Sequence, residues 1–332
     1  MQFDQLQRRE FITLLGGTAA AWPVAARAQQ RAMPVIGYLG SSSAAAITNE
    51  LVAFRQGLSD GGFIEGRNVA IEYRFADLEH ARLPALAENL VRRRVTVIAG
   101  VDSAAAALAA KAATTSIPIV FNIGGDPVRN GIVANLNRPG GNITGITFLT
   151  NELGPKRVNL LRELIPNAGL VAGLVNPTNP NAESDIEGLK SAAKTVGLTI
   201  AVLQASNERE IDAFFRTIVD RRVSGFLTVA DPLLNARREQ IAALAAFHKI
   251  PAIYHARRFP QAGGLMSYAP DILDLYRQSG VYTARALKGE KPEDLPVIQP
   301  TRFELVINLK AARGLDLTIP PTLLAIADEV IE

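Results

Sequence analysis

Short apolar runs alternate with helical patterns along the chain from about residue 33. Residues 33–39 are mostly apolar, and after a serine-rich loop the apolar residues of 47–59 recur at the spacing of one helix face. Residues 69–75 then alternate between apolar and polar positions, as in a half-buried strand. These strand, loop and helix units predict βαβ connections, and therefore a parallel sheet covered by helices on both faces.

The same pattern begins again after Gly145, which indicates a second lobe similar to the first. Further strands are predicted at 95–99, 117–122, 170–175, 199–203, 225–229 and 253–254. A single open sheet would need about ten strands, which exceeds the usual number. We therefore predict an α/β protein of two Rossmann-like lobes with parallel sheets, and C-terminal segments that cross between them.

The bulk composition supports two globular lobes and excludes several kinds of site. The chain has 332 residues, of which 48% are hydrophobic and 20% charged, so it can bury a large core. It contains no cysteine, which excludes disulfides, thiolate catalysis and cysteine-ligated metals. The net charge is +3, and the arginine cluster at 92–94 is typical of the solvated end of a helix. We therefore expect no nucleic-acid partner.

The first 28 residues have the pattern of an export signal. An arginine pair at 8–9 precedes a short apolar run, 11–22, and Ala26-Arg27-Ala28 matches the small-residue site that signal peptidase cuts. The arginine pair is similar to that of a twin-arginine leader, and an ordinary amphipathic helix is the alternative. We predict cleavage after Ala28 and a periplasmic protein, since no later apolar stretch has the length of a membrane span.

The sequence lacks the residue patterns that most enzymes and metal sites need. It has three histidines, His80, His248 and His255, at spacings that match no metal motif. No nucleophile elbow, dinucleotide fingerprint or phosphate-binding loop occurs, and the glycine-rich segment 140–145 precedes a strand rather than a helix. We therefore expect no enzyme activity, no cofactor and no metal, and we expect only His255 to lie near a cleft.

Small polar residues stand in the loops that follow the predicted strands. In doubly wound α/β proteins, ligands bind beyond the carboxyl ends of the strands. Hydroxyls, amides and backbone N–H groups there suit a carboxylate, buried carboxylates suit an ammonium group, and tyrosine rings suit an apolar wall. The predicted ligand-binding residues are Ser42, Ser43, Asp102, Ser103, Asn122, Gly125, Asp126, Asn176, Asp231, Tyr254 and Tyr268. Helix capping or turn formation is the alternative role for Asp102, Asp126 and Asp231.

Several sequence blocks carry a family resemblance that covers nearly all of the chain after residue 28. Residues 120–128 read Val-Phe-Asn-Ile-Gly-Gly-Asp-Pro-Val, and 137–145 read Asn-Arg-Pro-Gly-Gly-Asn-Ile-Thr-Gly. Both are similar to the solute-binding proteins of ABC transporters of the tryptophan and aromatic-amino-acid type. Residues 263–268, 295–310 and 319–332 resemble the C-terminal blocks of the same family.

The resemblance implies a type I periplasmic-binding fold, in which two Rossmann-like lobes are joined by three crossover segments. Mapped onto this sequence, the N-terminal lobe would comprise 31–148 plus 268–300, and the C-terminal lobe 149–267 plus 301–332. Hinge bending between such lobes encloses a ligand.

The function that the resemblance implies is a periplasmic receptor that delivers a small organic ligand to an ABC permease in the inner membrane. The ligand is expected to be an amino acid or an aromatic or other carboxylic acid, the latter because Arg257 and Arg258 would suit a carboxylate. We expect a monomer. A periplasmic ligand sensor for a membrane signalling partner is the alternative, and an exported enzyme is a third hypothesis that the residue patterns disfavour.

Overall fold

The computed structural model describes residues 33–150 and 153–332. The predicted signal peptide at 1–28 lies outside the described residues. Among the described helices, none is both long enough and apolar enough to cross a membrane. The described chain forms two α/β lobes, each built on its own sheet.

The first lobe is built on a five-stranded parallel sheet. Its strands are β1 (Val35–Gly40), β2 (Ala70–Phe75), β3 (Val97–Val101), β4 (Ile119–Ile123) and β5 (Ile143–Thr147). Its helices are α1 (Thr48–Asp60), α2 (Leu83–Arg92) and α3 (Ala104–Ala113), with 3₁₀ turns at Ala45–Ile47 and His80–Arg82. The strand order is β2-β1-β3-β4-β5, and because every pair is parallel, all carboxyl ends lie at one edge.

The second lobe is built on a seven-stranded sheet. Its strands are β6 (Leu170–Val175), β7 (Thr199–Gln204), β8 (Gly225–Thr228), β9 (Ala252–Tyr254), β10 (Met266–Pro270), β11 (Phe303–Asn308) and β12 (Glu329–Ile331). Its helices include α4 (Gly154–Leu164), α5 (Ala182–Thr195), α6 (Glu208–Asp220), α7 (Pro232–Ala236), α8 (Arg238–Phe247) and α9 (Arg258–Gln261). The strand order is β12-β11-β10-β9-β8-β6-β7, and only the β10–β11 pair is antiparallel among the described strands.

The chain passes between the two sheets three times. It leaves the first sheet after β5 and returns after β10 into the long helix α10 (Ile272–Leu287). A 3₁₀ turn at Pro292–Asp294 follows, Ile298 pairs with Ile146 at the edge of the first sheet, and the chain re-enters the second sheet at β11. Two short helices, α11 (Leu309–Gly314) and α12 (Pro321–Ala325), complete the fold.

Helix α10 packs against α1 at unusually close range, and two glycines permit it. A Cβ on Gly57 would lie 1.8 Å from the Arg277 carbonyl oxygen, and a Cβ on Gly280 would lie 2.1 Å from the Phe54 carbonyl oxygen. Any larger residue at either position would therefore force the two helix backbones apart. This contact joins the last long helix of the described chain to the first.

Apolar side chains form the core of each lobe. In the first lobe they cover both faces of the sheet, one face against α1 and α10 and the other against α2 and α3. In the second lobe Phe214, Phe215 and Phe226 meet edge to face at the centre of the core, with centroids 5.3–5.5 Å apart. These cores fix the sheet edges from which the loops of the site extend.

The fold class predicted from the alternation of patterns is confirmed, with local differences. Strand β3 occupies Val97–Val101 rather than 95–99, because Arg94 takes a left-handed turn (φ 54°) that ends α2 before the strand can begin. Strand β12 was not predicted, since its three residues carry no clear alternation. The β10–β11 pair is antiparallel where only parallel sheets were predicted, because the chain re-enters the second sheet from the side of the first.

Candidate functional site

A cavity lies between the two lobes, at the carboxyl ends of strands from both sheets. It contains about 710 Å³ of space between atoms, including its open mouth. Its polar lining consists of Ser42, Asp102, Ser103, Thr150, Asn179, Asn181, Asp231, Asn235, His255 and Arg258. The position agrees with the rule that ligands of α/β sheets bind beyond the carboxyl ends of the strands.

Asp102 provides a partly buried carboxylate in the first-lobe wall of this cavity. It directly follows β3, and its backbone takes the left-handed conformation (φ 77°) that turns the chain sharply into α3. The backbone N–H of Ser42 donates to its Oδ2 at 2.8 Å. Burial raises the pKa of Asp102, and the hydrogen bonds from Ser42 oppose that rise.

The Asp102 carboxylate forms no ion pair in the described part of the chain, although electrostatic attraction by His80 acts to lower its pKa. Tyr276 lies close enough to hydrogen-bond to the carboxylate. Burial first and the Asp102 charge second raise the pKa of Tyr276 well above its usual range, so the phenol stays protonated and can donate. A partly buried carboxylate that forms no ion pair is suited to receive a cation.

Apolar side chains form the wall next to this carboxylate. Ile47, Phe148 and Ile272 line the cavity together with the ring of Tyr276. The rings of Phe148 and Tyr276 have centroids 6.1 Å apart at an interplanar angle of 38°. The cavity therefore combines one charged end with a wall that can accept a hydrophobic or aromatic group.

Asp231, the carboxylate of the opposite lobe, is already fully engaged. It caps α7 by accepting from the backbone N–H groups of Leu233 (2.8 Å) and Leu234 (3.1 Å). It also accepts from the side-chain amides of Asn179 at 2.8 Å and Asn176 at 3.2 Å. Burial raises the pKa of Asp231, and these hydrogen bonds oppose the rise. Asp231 therefore shapes the second-lobe wall as a helix cap.

His255 borders the cavity with both of its ring nitrogens occupied. Its Nδ1 lies 2.8 Å from Thr228 Oγ1, and its Nε2 lies 3.0 Å from Asn235 Oδ1. Burial, together with the positive charge of Arg157, lowers the pKa of His255 well below its usual range, so the ring is neutral. Asn235 itself borders the cavity at the C-terminal side of α7.

Arg258 forms a buried ion pair across the two lobes. Its guanidinium pairs with Glu50 of α1, and the side chains are 19% and 5% exposed. Arg257 instead pairs with Glu304 and Glu329 inside the second lobe. The structure therefore gives no support to the expectation that Arg257 and Arg258 receive a ligand carboxylate, because each already pairs with a carboxylate of the protein.

The opposite side of the cavity is closed by contacts that need a glycine. A Cβ on Gly125 would lie 2.4 Å from Oδ1 of Asn181, a residue of the second lobe. The same Asn181 Oδ1 accepts from Nδ2 of Asn130 at 2.7 Å, which links the lobes directly. Arg129 and Glu187 form a more exposed ion pair nearby, at 2.8 Å. The two lobes are thus in contact on both sides of the cavity.

A second pair of buried charges lies beneath the second-lobe wall. The Arg157 side chain donates to the backbone oxygens of Tyr268 (2.9 Å) and Thr150 (3.1 Å). Burial lowers the pKa of Arg157 to about 10 and raises that of Asp185 to about 7, and the mutual attraction of the two charges opposes both shifts. Arg157 Nη2 and Asp185 Oδ2 have no hydrogen-bond partner among the described residues.

Four of the eleven predicted ligand-binding residues border the cavity: Ser42, Asp102, Ser103 and Asp231. Ser103 also caps α3 by accepting from the backbone N–H of Ala106 at 3.1 Å, so capping and cavity lining coincide. The remaining predicted residues lie away from the cavity lining.

Three of these other residues support residues that line the cavity or join the lobes. Asn176 holds Asp231, Gly125 packs against Asn181 across the lobes, and Ser43 accepts from a backbone N–H of the 3₁₀ turn that follows it. These three residues help to hold the site in shape, but they do not line the cavity.

The last four predicted residues have structural partners elsewhere. Asn122 donates to Ser279 Oγ at 2.7 Å inside the first lobe. The Asp126 carboxylate accepts from the backbone N–H groups of Val128 and Arg129 and so closes a turn. Tyr254 stacks on Phe259, with centroids 4.5 Å apart, in the second-lobe core, and the half-buried Tyr268 stacks on Phe303.

Sequence reasoning did not select several residues that line the cavity. These are Phe148, Thr150, Asn181, Asn235 and Tyr276, while His255 was expected near a cleft and does border it. Phe148 directly follows β5 and Thr150 lies in the same loop, so their place after a strand could have indicated them. Tyr276 lies within a helix, where the sequence gives no such signal. Among the described residues, no group of histidine and acidic side chains could hold a metal ion.

Comparison with known proteins identifies relatives along almost the whole described chain. A sequence model of the family described as ABC transporter substrate binding protein matches residues 42–331. A tyrosine-binding protein of Clostridioides difficile (strain R20291) is 25% identical over 265 residues, which cover 80% of this chain and 75% of that protein.

Two solved structures have the same architecture as this chain. A conserved domain protein of Vibrio cholerae O1 biovar eltor is 27% identical with a TM-score of 0.84. An ABC domain of Streptococcus pneumoniae in complex with L-Trp is 26% identical with a TM-score of 0.83. Each match covers 90% of this chain and 100% of the other. The likeness confirms the predicted fold of two α/β lobes.

Proposed function

Because this chain belongs to the family of ABC transporter substrate-binding proteins, we propose that it captures an amino acid between its two lobes and delivers it to an ABC permease. The observation that carries the ligand class is the partly buried Asp102 carboxylate, which borders the cavity and forms no ion pair among the described residues. An ammonium group on the ligand would supply the missing positive charge and a strong, charge-assisted hydrogen bond. A carboxylic acid without an ammonium group would leave Asp102 uncompensated.

The apolar wall supports an aromatic or large aliphatic side chain on that amino acid. Phe148 and Tyr276 border the cavity beside Asp102, together with the aliphatic Ile47 and Ile272. A flat ring between such groups buries apolar area and can meet the aromatic rings edge to face. The relatives that bind tyrosine and L-Trp support the same ligand class.

The sequence features support a proposal for the compartment and the oligomeric state of the receptor. We propose that residues 1–28 direct export by the twin-arginine route, that cleavage follows Ala28, and that the mature protein acts in the periplasm as a monomer without a cofactor. N-terminal sequencing of the exported protein and light scattering over a range of concentrations test these points. Cleavage elsewhere, or a mass that rises with concentration, would contradict them.

Asp102→Asn tests the role of the carboxylate with minimal change in shape. Asparagine tolerates the left-handed backbone of position 102 and keeps an acceptor for Ser42, so only the charge is lost. We expect an aromatic L-amino acid to bind the unchanged protein and its deaminated analogue to bind much more weakly. In Asp102→Asn the affinity for the amino acid should fall about tenfold to a hundredfold. Isothermal titration calorimetry with tyrosine, tryptophan, phenylalanine and their propionate analogues measures this.

Asp126→Asn is the matched control, because Asp126 closes a turn outside the cavity and should leave the affinity unchanged. Equal binding of the amino acid and its deaminated analogue would contradict the proposed role of Asp102. If no amino acid binds, but a sugar or an organic acid raises the melting temperature, the proposed ligand class is wrong.

A further inference from the structure

Three side chains of the second lobe form a hydrogen-bonded chain that ends at the cavity. Thr228, at the end of β8, lies 2.8 Å from Nδ1 of His255, and Nε2 of His255 lies 3.0 Å from Oδ1 of Asn235. Thr228 is fully buried and His255 is 2% exposed, whereas Asn235 is only partly buried and borders the cavity. This series of hydrogen bonds therefore runs from the core of the second lobe to the surface of the cavity.

The position of each proton in this series of hydrogen bonds follows from the burial of Thr228. Its hydroxyl oxygen is reached by the backbone N–H of His255 at 3.4 Å, and the only acceptor within reach of its hydrogen among the described residues is His255 Nδ1. A buried hydroxyl without an acceptor is costly, so Thr228 donates to Nδ1. A neutral ring then carries its single proton on Nε2, which donates to Asn235 Oδ1.

This direction of donation fixes the side-chain amide of Asn235. Its Oδ1 is held by the imidazole N–H, so its Nδ2 must be the end that remains available. Asn235 Nδ2 has no hydrogen-bond partner among the described residues, and it is not among their buried unsatisfied atoms. Asn235 therefore presents the two N–H donors of its Nδ2 to the cavity. The imidazole N–H of His255 prevents the side-chain amide from flipping.

We propose that Thr228 and His255 position Asn235 so that its Nδ2 binds the carboxylate of the ligand. The inference rests on the proposed function, because it assigns the second end of the amino acid whose ammonium group binds Asp102. A ligand held in this way bridges the lobes, with Asp102 in the first and Asn235 in the second. Asn235 thereby selects for an acceptor group at one end of the ligand, and His255 acts through it as a positioning residue.

Paired ligands separate the carboxylate contact from general effects on the site. Tyramine and tryptamine are tyrosine and tryptophan without the carboxylate. In Asn235→Ala, the affinity for the amino acid should fall about tenfold to a hundredfold, while the affinity for the amine changes by less than about threefold. Asn235→Asp should weaken amino-acid binding further, because it places a negative charge opposite the carboxylate. Equal losses for amino acid and amine would overturn the proposal.

Variants of His255 test the positioning role. His255→Gln keeps an N–H donor near the position of Nε2 and should retain most of the amino-acid affinity, whereas His255→Leu removes the donor and should resemble Asn235→Ala. Circular dichroism and urea denaturation establish that each variant is folded. If His255→Leu is folded and binds the amino acid as tightly as the unchanged protein, His255 has no positioning role.

A ligand-free measurement keeps this inference distinguishable from the proposed function. Nitrogen-15 NMR of the imidazole rings shows which nitrogen carries the proton, and the His255→Gln spectrum identifies the His255 signals among the three histidines. We expect a neutral ring protonated on Nε2 between about pH 6 and pH 8. A ring protonated on Nδ1, or a charged ring, overturns the positioning chain even if amino acids bind. Failure of all amino acids to bind the unchanged protein would instead refute the proposed function, whatever the ring shows.

Discussion

At the scale of single residues, the position of a polar residue after a strand predicted its location better than its orientation. Asp102 directly follows β3, Asp231 lies in the loop after β8, and both reach the cavity. Asn122 lies near the end of β4, but its amide turns inward to Ser279, a residue of the distant α10. The sequence supplies the local position, whereas the direction of the side chain depends on a partner that only the folded chain brings near.

Asp185 should make the stability of the protein depend on pH. Burial raises its pKa to about 7 in the folded protein, whereas an unfolded aspartate has a pKa of about 3.9. Between these values the folded state holds a proton that the unfolded state has lost, so stability is greatest below about pH 4 and declines as the pH rises to about 7. We expect the free energy of unfolding to be lower at pH 8 than at pH 5 by about 1–3 kcal/mol from this group.

Urea denaturation at pH 5 and pH 8 measures the difference. Asp185→Asn should remove most of it, because the amide does not titrate, whereas Asp220→Asn at the exposed end of α6 should leave it unchanged. An identical pH dependence in Asp185→Asn and the unchanged protein would show that Asp185 is not its source.

At the scale of elements, the sequence predicted α1 but not its contact with α10. Helix α1 follows from the spacing of its apolar residues. The close packing of the two helices depends on Gly57 and Gly280, which lie in helix interiors where glycine alone is unfavourable. A glycine within a helix leaves room for another element to approach closely, but it does not identify that element, and α1 and α10 are far apart in sequence.

Gly280→Ala should destabilise the protein because its Cβ would meet the Phe54 carbonyl oxygen of α1 at 2.1 Å. We expect the free energy of unfolding to fall by about 1–3 kcal/mol, the usual cost of overpacking a tight contact. Gly188→Ala is the control with the opposite sign. A Cβ on Gly188 of α5 meets nothing within 4 Å, so alanine should stabilise by about 0.5–1 kcal/mol. If both substitutions changed the free energy of unfolding in the same direction, that result would contradict the packing argument.

At the scale of the whole molecule, the two lobes are held together around the cavity by polar contacts. The buried Arg258–Glu50 pair lies on one side, and the Asn130–Asn181 bond with the exposed Arg129–Glu187 pair lies on the other. The sequence indicated the arginines and two lobes but not which carboxylate each arginine meets. Such pairing across lobes depends on their relative placement, which no local pattern encodes.

We propose that the lobes close on the ligand, and we expect Glu50 and Arg258 to contribute to ligand affinity through that closure. Glu50→Gln leaves the largely buried Arg258 without its partner, so closure becomes less favourable and affinity should fall about tenfold or more. Exchanging the two charges in Glu50→Arg with Arg258→Glu should restore much of the loss, as calorimetry with the best-binding amino acid would show. Arg129→Gln is the control, because an exposed pair contributes little. If the exchanged pair binds no better than Glu50→Gln, the ion pair is not what favours closure.

The contact between α1 and α10 also determines the order in which the protein can fold during synthesis. Strands β1–β5 are made before the second lobe, but α1 covers only part of one face of their sheet, and α10, which completes the cover, is made after most of the second lobe. Until then, a nascent first lobe carries exposed apolar surface that can associate with other chains. A chaperone that shields the apolar face next to α1 would therefore act on this chain until nearly all of it has left the ribosome.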